Sequence, residues 1–427
     1  MRINVVNIGC FKNLVDCEKL MCQLSAAGHE VVFGESQDCF DVGIVNTCGF
    51  IGNADNDSSA LLRKYAMLKK QGLINELWVM GCYSEKRGES IRIDIPEVDR
   101  IYGNFNWNEI LKVLDAGSHV THERTLTTPR HYAYLKISEG CNSPCSYCIK
   151  PVINGPLTSY DMKDLVTEVQ YLAGNGVKEI QLVAQNLTAY GQDIYGQKRI
   201  AELVNRIADV KGIEWIRLHY AYPIGFPVEL LDTIRQRENV CNYLDMAIQH
   251  CSTKMLKLMC RNMTKEHLTE LIGTIRERVP GIYLRTTVMT GHPGETQEDF
   301  DELYQFIEEQ KFERMGVFAY SHQNGTYCDR NYIDDIPQNV KIDRALALMA
   351  LQGRIYDSLN ESLTGIVEKV IIDSRTDSGY IGRGEHSTPM ADPKIFISSE
   401  RDLCIGDFYD VRITGSRGKD MNGELIV

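Results

Sequence analysis

The chain has 427 residues, 43% of them hydrophobic and 24% charged, which is ordinary for a globular protein of roughly two to four domains. A formal net charge of −12 disfavours long-range attraction to nucleic acid, and no apolar run approaches the roughly 18 residues that span a bilayer. The N-terminal run "MRINVVNIGC" lacks the cleavage site of a signal peptide, so we expect a cytoplasmic protein without a membrane segment.

Residues 1–118 alternate short apolar runs with helical stretches, which predicts a doubly wound α/β domain. Three runs have the composition of buried parallel strands: "INVVNIG", "VGIVNT" and "LWVMG". A cysteine follows each run directly, namely Cys10, Cys48 and Cys82. Ligands bind outside the carboxyl ends of strands in an open parallel sheet, so these thiols are expected to converge on a metal site. The alternative is that three strands end at a cysteine by chance.

A linker is predicted at residues 119–130, and a second α/β series at residues 130–363. Six apolar runs alternate with helical stretches there, which predicts a parallel (β/α)6 part-barrel. The predicted strands are "YLKIS", "IQLVAQ", "WIRLHY", "LDMAIQ", "YLRTTVM" and "MGVFAY". Functional residues of such a barrel gather at the carboxyl ends of its strands, where Cys141 follows the first run and Asn186 the second.

The last part of the chain, residues 364–427, changes to short strands and turns. The runs "IVEKVIID", "GYIGRG", "IFIS", "DFYDVRITG" and "GELIV" predict a small all-β module. This module contains more acidic than basic residues, which does not favour phosphate contacts.

The stretch "YLKISEGCNSPCSYCIKP" contains Cys141, Cys145 and Cys148 at the spacing C-x3-C-x2-C. A four-iron, four-sulfide cluster usually takes four thiolates, so three leave one iron free to receive a substrate. A zinc site is the competing interpretation. It needs a fourth ligand, and no histidine lies within the ten residues after Cys148.

This spacing after the first strand of a part-barrel resembles the radical S-adenosylmethionine (SAM) enzymes. The whole chain is similar to the methylthiotransferases of that superfamily, including a C-terminal module of the TRAM type. Within the family it most resembles the branch that acts on ribosomal protein S-12. The segments that carry the resemblance are "NIGCFKNLVDCEKL", "NTCGFIGNA", "YLKISEGC", "AQNLTAYG", "IRLHYAYP" and "RTTVMTGHPGETQEDF".

The resemblance implies two four-iron clusters, one on each set of three thiols. The set at Cys141, Cys145 and Cys148 would bind SAM and generate a 5′-deoxyadenosyl radical; the set formed by Cys10, Cys48 and Cys82 would carry the sulfur to be transferred. Two SAM molecules would be used to insert a methylthio group at the β-carbon of an aspartate. We expect an electron donor similar to flavodoxin or ferredoxin.

Six further residues are predicted to contact SAM, because they lie at strand ends or in the motif "GHPGET". They are Gln185, Asn186, Gln249, Arg285, Gly291 and Glu295. Ordinary loop pairs, or a plain turn before a helix, would explain most of these positions equally well.

Two functions other than methylthiolation of a protein are compatible with the sequence. One is methylthiolation of a transfer RNA adenosine, which the acidic C-terminal module makes the weaker alternative. The other is a non-catalytic iron–sulfur or zinc scaffold that binds the ribosome. Its only support is that the arginine–glycine pair and later basic residue usual in the family are missing after Cys148.

Overall fold

The computed structural model of the protein describes residues 1–49, 53–104, 107–117 and 122–426. Residues 119–121 of the predicted linker lie outside them. The described residues form two α/β units followed by a closed β-barrel, which confirms the predicted fold class. None of the described helices is both long and apolar enough to cross a membrane.

The first unit is a parallel sheet of five strands among the described residues, in the order β2-β1-β3-β4-β5. The strands are β1 (Arg2–Asn7), β2 (Glu30–Phe33), β3 (Phe40–Thr47), β4 (Ile74–Gly81) and β5 (Val98–Ile101). The helices are α1 (Phe11–Ala26), α2 (Asn53–Lys70), α3 (Cys82–Arg87), α4 (Ser90–Asp94) and α5 (Trp107–Val113). The three predicted strands are the central ones. The sequence prediction omitted β2 and β5, which are short, partly exposed edge strands with little apolar signal.

The second unit is the predicted part-barrel, and its six described strands pair in chain order. They are β6 (Tyr132–Lys136), β9 (Glu179–Val183), β10 (Trp215–Ala221), β11 (Val240–Met246), β12 (Tyr283–Thr290) and β13 (Arg314–Ala319). A short antiparallel pair not expected from the sequence, β7 (Ser138–Glu139) and β8 (Thr158–Ser159), closes the base of the loop that contains Cys141.

Helices cover the outer face of this part-barrel, because their apolar side chains pack against the strands in one continuous core. The helices of the unit are α6 (Lys150–Asn154), α7 (Met162–Gly174), α8 (Ile200–Ala208), α9 (Glu229–Gln236), α10 (Thr253–Leu258), α11 (Lys265–Arg278), α12 (Gln297–Gln310), α13 (Tyr327–Asn331) and α14 (Gln338–Ser362). A 3-10 turn at Leu187–Ala189 follows β9.

The third unit is a closed barrel of five described strands in the order β14-β15-β16-β18-β17. The strands are β14 (Val367–Thr376), β15 (Gly379–Gly384), β16 (Ile395–Ser398), β17 (Phe408–Arg417) and β18 (Asp420–Leu425). All five correspond to predicted runs. Closure pairs every strand on both sides, so a barrel this small keeps no open sheet edge.

A buried ionic network joins the third unit to the part-barrel. Glu179, on β9, is fully buried and pairs with Arg217 at 3.0 Å and Arg383 at 2.7 Å. Burial alone would raise the pKa of Glu179, yet the two guanidinium groups hold this pKa below its ordinary value. The carboxylate therefore stays charged, and it fixes β15 to the base of the part-barrel.

Replacing Glu179 by glutamine is expected to lower the free energy of unfolding by about 3 kcal/mol, because two buried guanidinium groups lose their counter-charge. Urea denaturation measures the loss. The matched control is Glu214→Gln, which removes a half-exposed pair with Lys369 at the same junction and should cost no more than about 1 kcal/mol. Equal losses in the two variants would contradict the importance of the buried network.

Candidate functional site

Both predicted sets of three cysteines line one cavity of about 450 Å³. It lies where the carboxyl ends of the strands of the first unit face those of the part-barrel. Its thiols are those of Cys10, Cys48, Cys82, Cys141, Cys145 and Cys148. The loop of the third unit that contains Thr388 and Pro389 also lines this cavity, a contribution that the sequence did not predict.

The first set of thiols is held by the ends of three adjacent strands. Cys10 caps α1, Cys48 follows β3, and Cys82 begins α3. Gly81, between β4 and α3, has φ of +104°, and a β-carbon there would collide with the carbonyl of Thr47. Only glycine allows the end of β4 to press so closely on the end of β3, which brings Cys82 beside Cys48.

The side chain of Asn13, in the first turn of α1, links these strand ends. Its amide nitrogen donates to Asn46 Oδ1 at 3.0 Å, and its Oδ1 accepts from the thiol of Cys10 at 3.3 Å and lies 4.0 Å from that of Cys82. The thiol of Cys82 also lies 3.6 Å from Asn104 Oδ1. Asn13 is therefore a contact of the first thiol set that sequence reasoning missed.

The second set of thiols lies on one tight loop between β7 and α6. The backbone N–H of Cys141 donates to the carbonyl of Gly155 at 3.1 Å, and that of Cys148 donates to Cys145 at 3.1 Å. The N–H of Ser146 donates to the carbonyl of Met259 at 3.0 Å, which ties the loop to the end of α10. These backbone hydrogen bonds define the path of the loop.

Substituting Gly140 by alanine is expected to disrupt this loop. Gly140 has φ of +61°, and a β-carbon would collide with the carbonyl oxygen of Pro156. The matched control is Gly155→Ala, at φ of +68° with no atom within 4 Å of the added carbon. Iron content after anaerobic reconstitution should fall by about half in Gly140→Ala and change little in the control, whose strain costs about 1 kcal/mol. Equal iron contents would show that the close approach at Gly140 is unimportant.

One thiol of each set has a raised pKa. Burial raises the pKa of Cys82 to about 12, and the charges of Cys10 and Cys48 raise it as well. Burial raises the pKa of Cys148 to about 11, and Cys145 and Cys141 act in the same direction. Thiols that raise one another's pKa become thiolates together only when a cation offsets their charges, so this donor set fits a metal group.

The arrangement of the described cysteines can be compared with the needs of a single ion and of a cluster. Within the described ranges no group of three or more His, Cys, Asp or Glu side chains is arranged to hold one ion. A four-iron cluster takes each thiolate on a different iron, so it does not require the sulfurs to meet at one point.

Gln185, at the end of β9, shows that the cavity suits a polar ligand. It lines the cavity, and its buried Oε1 and Nε2 atoms both lack a hydrogen-bond partner. A buried amide with neither group satisfied is costly, so a polar ligand such as SAM fits beside it. The neighbouring Asn186 also lines the cavity, but its amide nitrogen already donates to Ser143 Oγ at 3.1 Å.

Two other predicted SAM contacts, Gln249 and Arg285, line the same cavity. Gln249 has φ of +69°, an uncommon conformation for a residue other than glycine, and its backbone pairs with Thr287 and Met289 beside β12. Arg285 forms an ion pair with Asp392 of the third unit, so its orientation depends on that unit.

The remaining two, Gly291 and Glu295, are not among the residues that line the cavity. Glu295 accepts from the N–H of Gly291 at 2.8 Å and pairs with Arg344 of α14 at 2.7 Å. These contacts hold the turn after β12 against α14. Contact of either residue with SAM stays a prediction.

Several cavity residues were missed by sequence reasoning: Lys12, Lys150, Tyr220, Asp245 and Arg261. Burial lowers the pKa of Lys12 to about 8 and raises that of Asp245 to about 6. Each lysine lies two residues after a predicted thiol ligand, and this spacing could have indicated from the sequence that both line the cavity. Arg261 follows α10 and has no such signal.

Three family models match the chain. The radical SAM superfamily matches residues 135–307, the uncharacterized protein family UPF0004 matches residues 2–103, and the TRAM domain matches residues 364–426. Each match falls on one of the three structural units.

Curated relatives match the chain from end to end. A ribosomal protein uS12 methylthiotransferase RimO from Porphyromonas gingivalis is 49% identical, over 100% of this chain and 99% of the relative. The enzyme of that name from Bacteroides fragilis is 48% identical over 99% of both chains. The one from Cytophaga hutchinsonii is 43% identical over 100% of this chain and 98% of its own.

Solved structures share the fold at low identity. The radical SAM methyltransferase TsrM from Kitasatospora setae, solved with cobalamin and a [4Fe-4S] cluster, has a TM-score of 0.57 at 13% identity and covers 77% of each chain. The cobalamin-dependent SAM radical enzyme OxsB, solved with SAM bound, has a TM-score of 0.54 at 12% identity, with coverage of 82% of this chain and 56% of its own.

Proposed function

The chain belongs to the ribosomal protein uS12 methylthiotransferase (RimO) family, and on that premise we propose that it inserts a methylthio group at the β-carbon of an aspartate in that ribosomal protein. It is a transferase of the radical SAM superfamily. The observation that carries the proposal is the cavity, because two sets of three thiols open into the same space. A set of three thiols by itself is found in many metalloproteins. Two such sets in one cavity suit a reaction that joins carbon to sulfur.

The chemistry requires an iron–sulfur cluster with one open iron, which together with SAM supplies a 5′-deoxyadenosyl radical able to take hydrogen from an unactivated carbon. Cys141, Cys145 and Cys148 would hold this cluster. Cys10, Cys48 and Cys82 would hold a second one, which would supply the sulfur. The fold is similar to those of TsrM and OxsB. This similarity supports the cluster at Cys141, Cys145 and Cys148 only through the shared barrel.

The protein's own contribution is to bind and orient SAM and to exclude water. Gln185 would supply a donor and an acceptor to the SAM molecule, whose position Gln249 and Arg285 would limit from the neighbouring strands. Tyr147 and Tyr222 line the cavity with the second thiol set, and the Tyr222 hydroxyl lies 3.6 Å from the thiol of Cys145. Arg261 lies over the ring of Tyr222 at 4.6 Å. These rings would help to keep bulk water from a reactive intermediate, which protects against side reactions.

The electron donor, the cellular location and the class of substrate complete the proposal. A donor of the flavodoxin or ferredoxin type would supply electrons to the cluster at Cys141. Modification of a ribosomal protein would take place in the cytoplasm. The acidic chain suits a basic ribosomal protein better than transfer RNA.

Mass spectrometry of ribosomal protein uS12 tests this function. The protein from cells that carry the gene should show one methylthio increment on an aspartate, and this increment should disappear in a deletion strain and return with the intact gene. Transfer RNA nucleosides from the same cells are the control and should not change. Loss of a methylthiolated adenosine in the deletion strain, with uS12 unmodified throughout, would replace the protein substrate by transfer RNA.

A further inference from the structure

The third unit contributes a segment to the part-barrel, residues 385–392, which we call the inserted segment. The backbone carbonyl of Glu385 accepts from the guanidinium of Arg217, on β10. The ring of His386 stacks on that of Tyr283, at the start of β12, with centroids 3.9 Å apart. The inserted segment therefore enters the part-barrel near the starts of its strands.

The second half of the inserted segment reaches the cavity, which Thr388, Pro389 and Ala391 line. The strands of a parallel barrel all begin at one end, and the thiols lie at the other end, where the strands finish. The inserted segment thus forms the floor of the cavity, on the side opposite the second thiol set.

Asp392, the last residue of the inserted segment, has a fully buried side chain. One of its oxygens pairs with Arg285, on β12, and the other accepts from the Tyr243 hydroxyl at 2.9 Å and the N–H of Thr388 at 3.0 Å. Burial alone would raise the pKa of Asp392, yet Arg285 and other groups hold this pKa below its ordinary value. Asp392 is therefore a charged group with partners on both oxygens.

Arg285 lies between Asp392 and the cavity, which its partly exposed side chain lines. The part-barrel has a carboxylate of its own nearby, Asp245 on β11. Its Oδ1 lies 4.0 Å from Nε of Arg285, which is beyond hydrogen-bond distance. Among the described residues, the carboxylate in direct contact with Arg285 thus comes from the third unit, and the part-barrel alone would not hold this guanidinium in place.

We propose that Asp392 is a positioning residue for SAM, because it holds the guanidinium of Arg285 at the floor of the cavity in an orientation that donates to SAM. This inference rests on the proposed function, which requires SAM in this cavity. Loss of the Asp392 charge would let the guanidinium turn towards Asp245, and a donor turned away no longer binds the ligand. The third unit would then complete the SAM site as well as contact the protein substrate.

Equilibrium binding of SAM to the reconstituted, unreduced enzyme tests this role without turnover. Asp392→Asn keeps the size of the side chain and removes its charge, and the Kd for SAM is expected to rise about tenfold. The matched control is Asp407→Asn, which removes a pair of the third unit with Lys178 away from the cavity and should leave this Kd unchanged. A Kd unchanged in Asp392→Asn would overturn the proposal.

A double variant separates positioning from a general structural effect. If Asp392 acts through Arg285, the combination of Arg285→Gln with Asp392→Asn should bind SAM no more weakly than Arg285→Gln alone. Independent effects would multiply, and that result would overturn the proposal. A crystal structure of Asp392→Asn without SAM is expected to show the Arg285 guanidinium within hydrogen-bond distance of Asp245. An unmoved guanidinium would also contradict the positioning role.

Urea denaturation shows whether Asp392→Asn folds. If it does not, Tyr243→Phe serves in its place, because it removes one donor to Asp392 and keeps the charge. The Kd for SAM should then rise about threefold, and an unchanged Kd would overturn the proposal.

Methylthiolation of uS12, measured by mass spectrometry with the same enzyme preparations, keeps this inference distinct from the proposed function. SAM binding that depends on Asp392, in an enzyme that leaves uS12 unmodified, would support the positioning role and count against the function. Methylthiolation of uS12 together with a Kd for SAM that does not depend on Asp392 would support the function and overturn the positioning role.

Discussion

Replacement of Cys141 by alanine is expected to abolish reductive cleavage of SAM, with a loss of activity greater than about 100-fold. Cys141 is one of three thiols on a single loop that would together hold this cluster, so alanine would leave the cluster without one of its ligands. The other set lies on different strands of a different unit, so its cluster should assemble normally. About half of the iron should therefore remain after anaerobic reconstitution. Release of 5′-deoxyadenosine, measured by chromatography, reports the cleavage.

Cys404→Ala is the control for Cys141→Ala, because Cys404 is exposed in the third unit, away from the cavity. This variant should keep full iron content and full cleavage. Persistence of cleavage in Cys141→Ala would mean that the radical is generated elsewhere. Loss of all iron would mean that the two sets of thiols do not assemble independently.

Replacement of Cys82 by alanine should separate methylthiolation of uS12 from cleavage of SAM. Methylthiolation of uS12 should fall by more than about 100-fold, whereas SAM cleavage should continue, because the second thiol set is intact. Cys82 is buried beside Asn13 and Asn104, so alanine removes a ligand and leaves the neighbouring strand ends in place. Mass spectrometry of the peptide product and chromatography of 5′-deoxyadenosine, run on one sample, measure both activities.

The control for Cys82→Ala is Cys39→Ala, an exposed cysteine of the same unit that should leave both activities unchanged. Full methylthiolation by Cys82→Ala would remove the first set from the reaction. Loss of cleavage together with methylthiolation would show that the first set supports the second, and the division of roles would then be wrong.

The amino-acid sequence by itself determined the central strands and the two sets of cysteines. Alternating apolar runs are a local signal, and β1, β3 and β4 and all six barrel strands carry it. Cys10, Cys48 and Cys82 could be placed because each follows such a run directly, and the second set because of its C-x3-C-x2-C spacing. The edge strands β2 and β5 were missed because exposed strands bury too little apolar surface to leave that signal.

Only the tertiary structure decided that both sets of thiols open into one cavity. That depends on contacts between residues far apart in the chain, such as Phe11 with Tyr134 and Arg383 with Glu179. Glu295 illustrates the same limit, because its partner Arg344 lies 49 residues away. No local pattern encodes that arrangement, since it is fixed by burial and pairing across the whole fold.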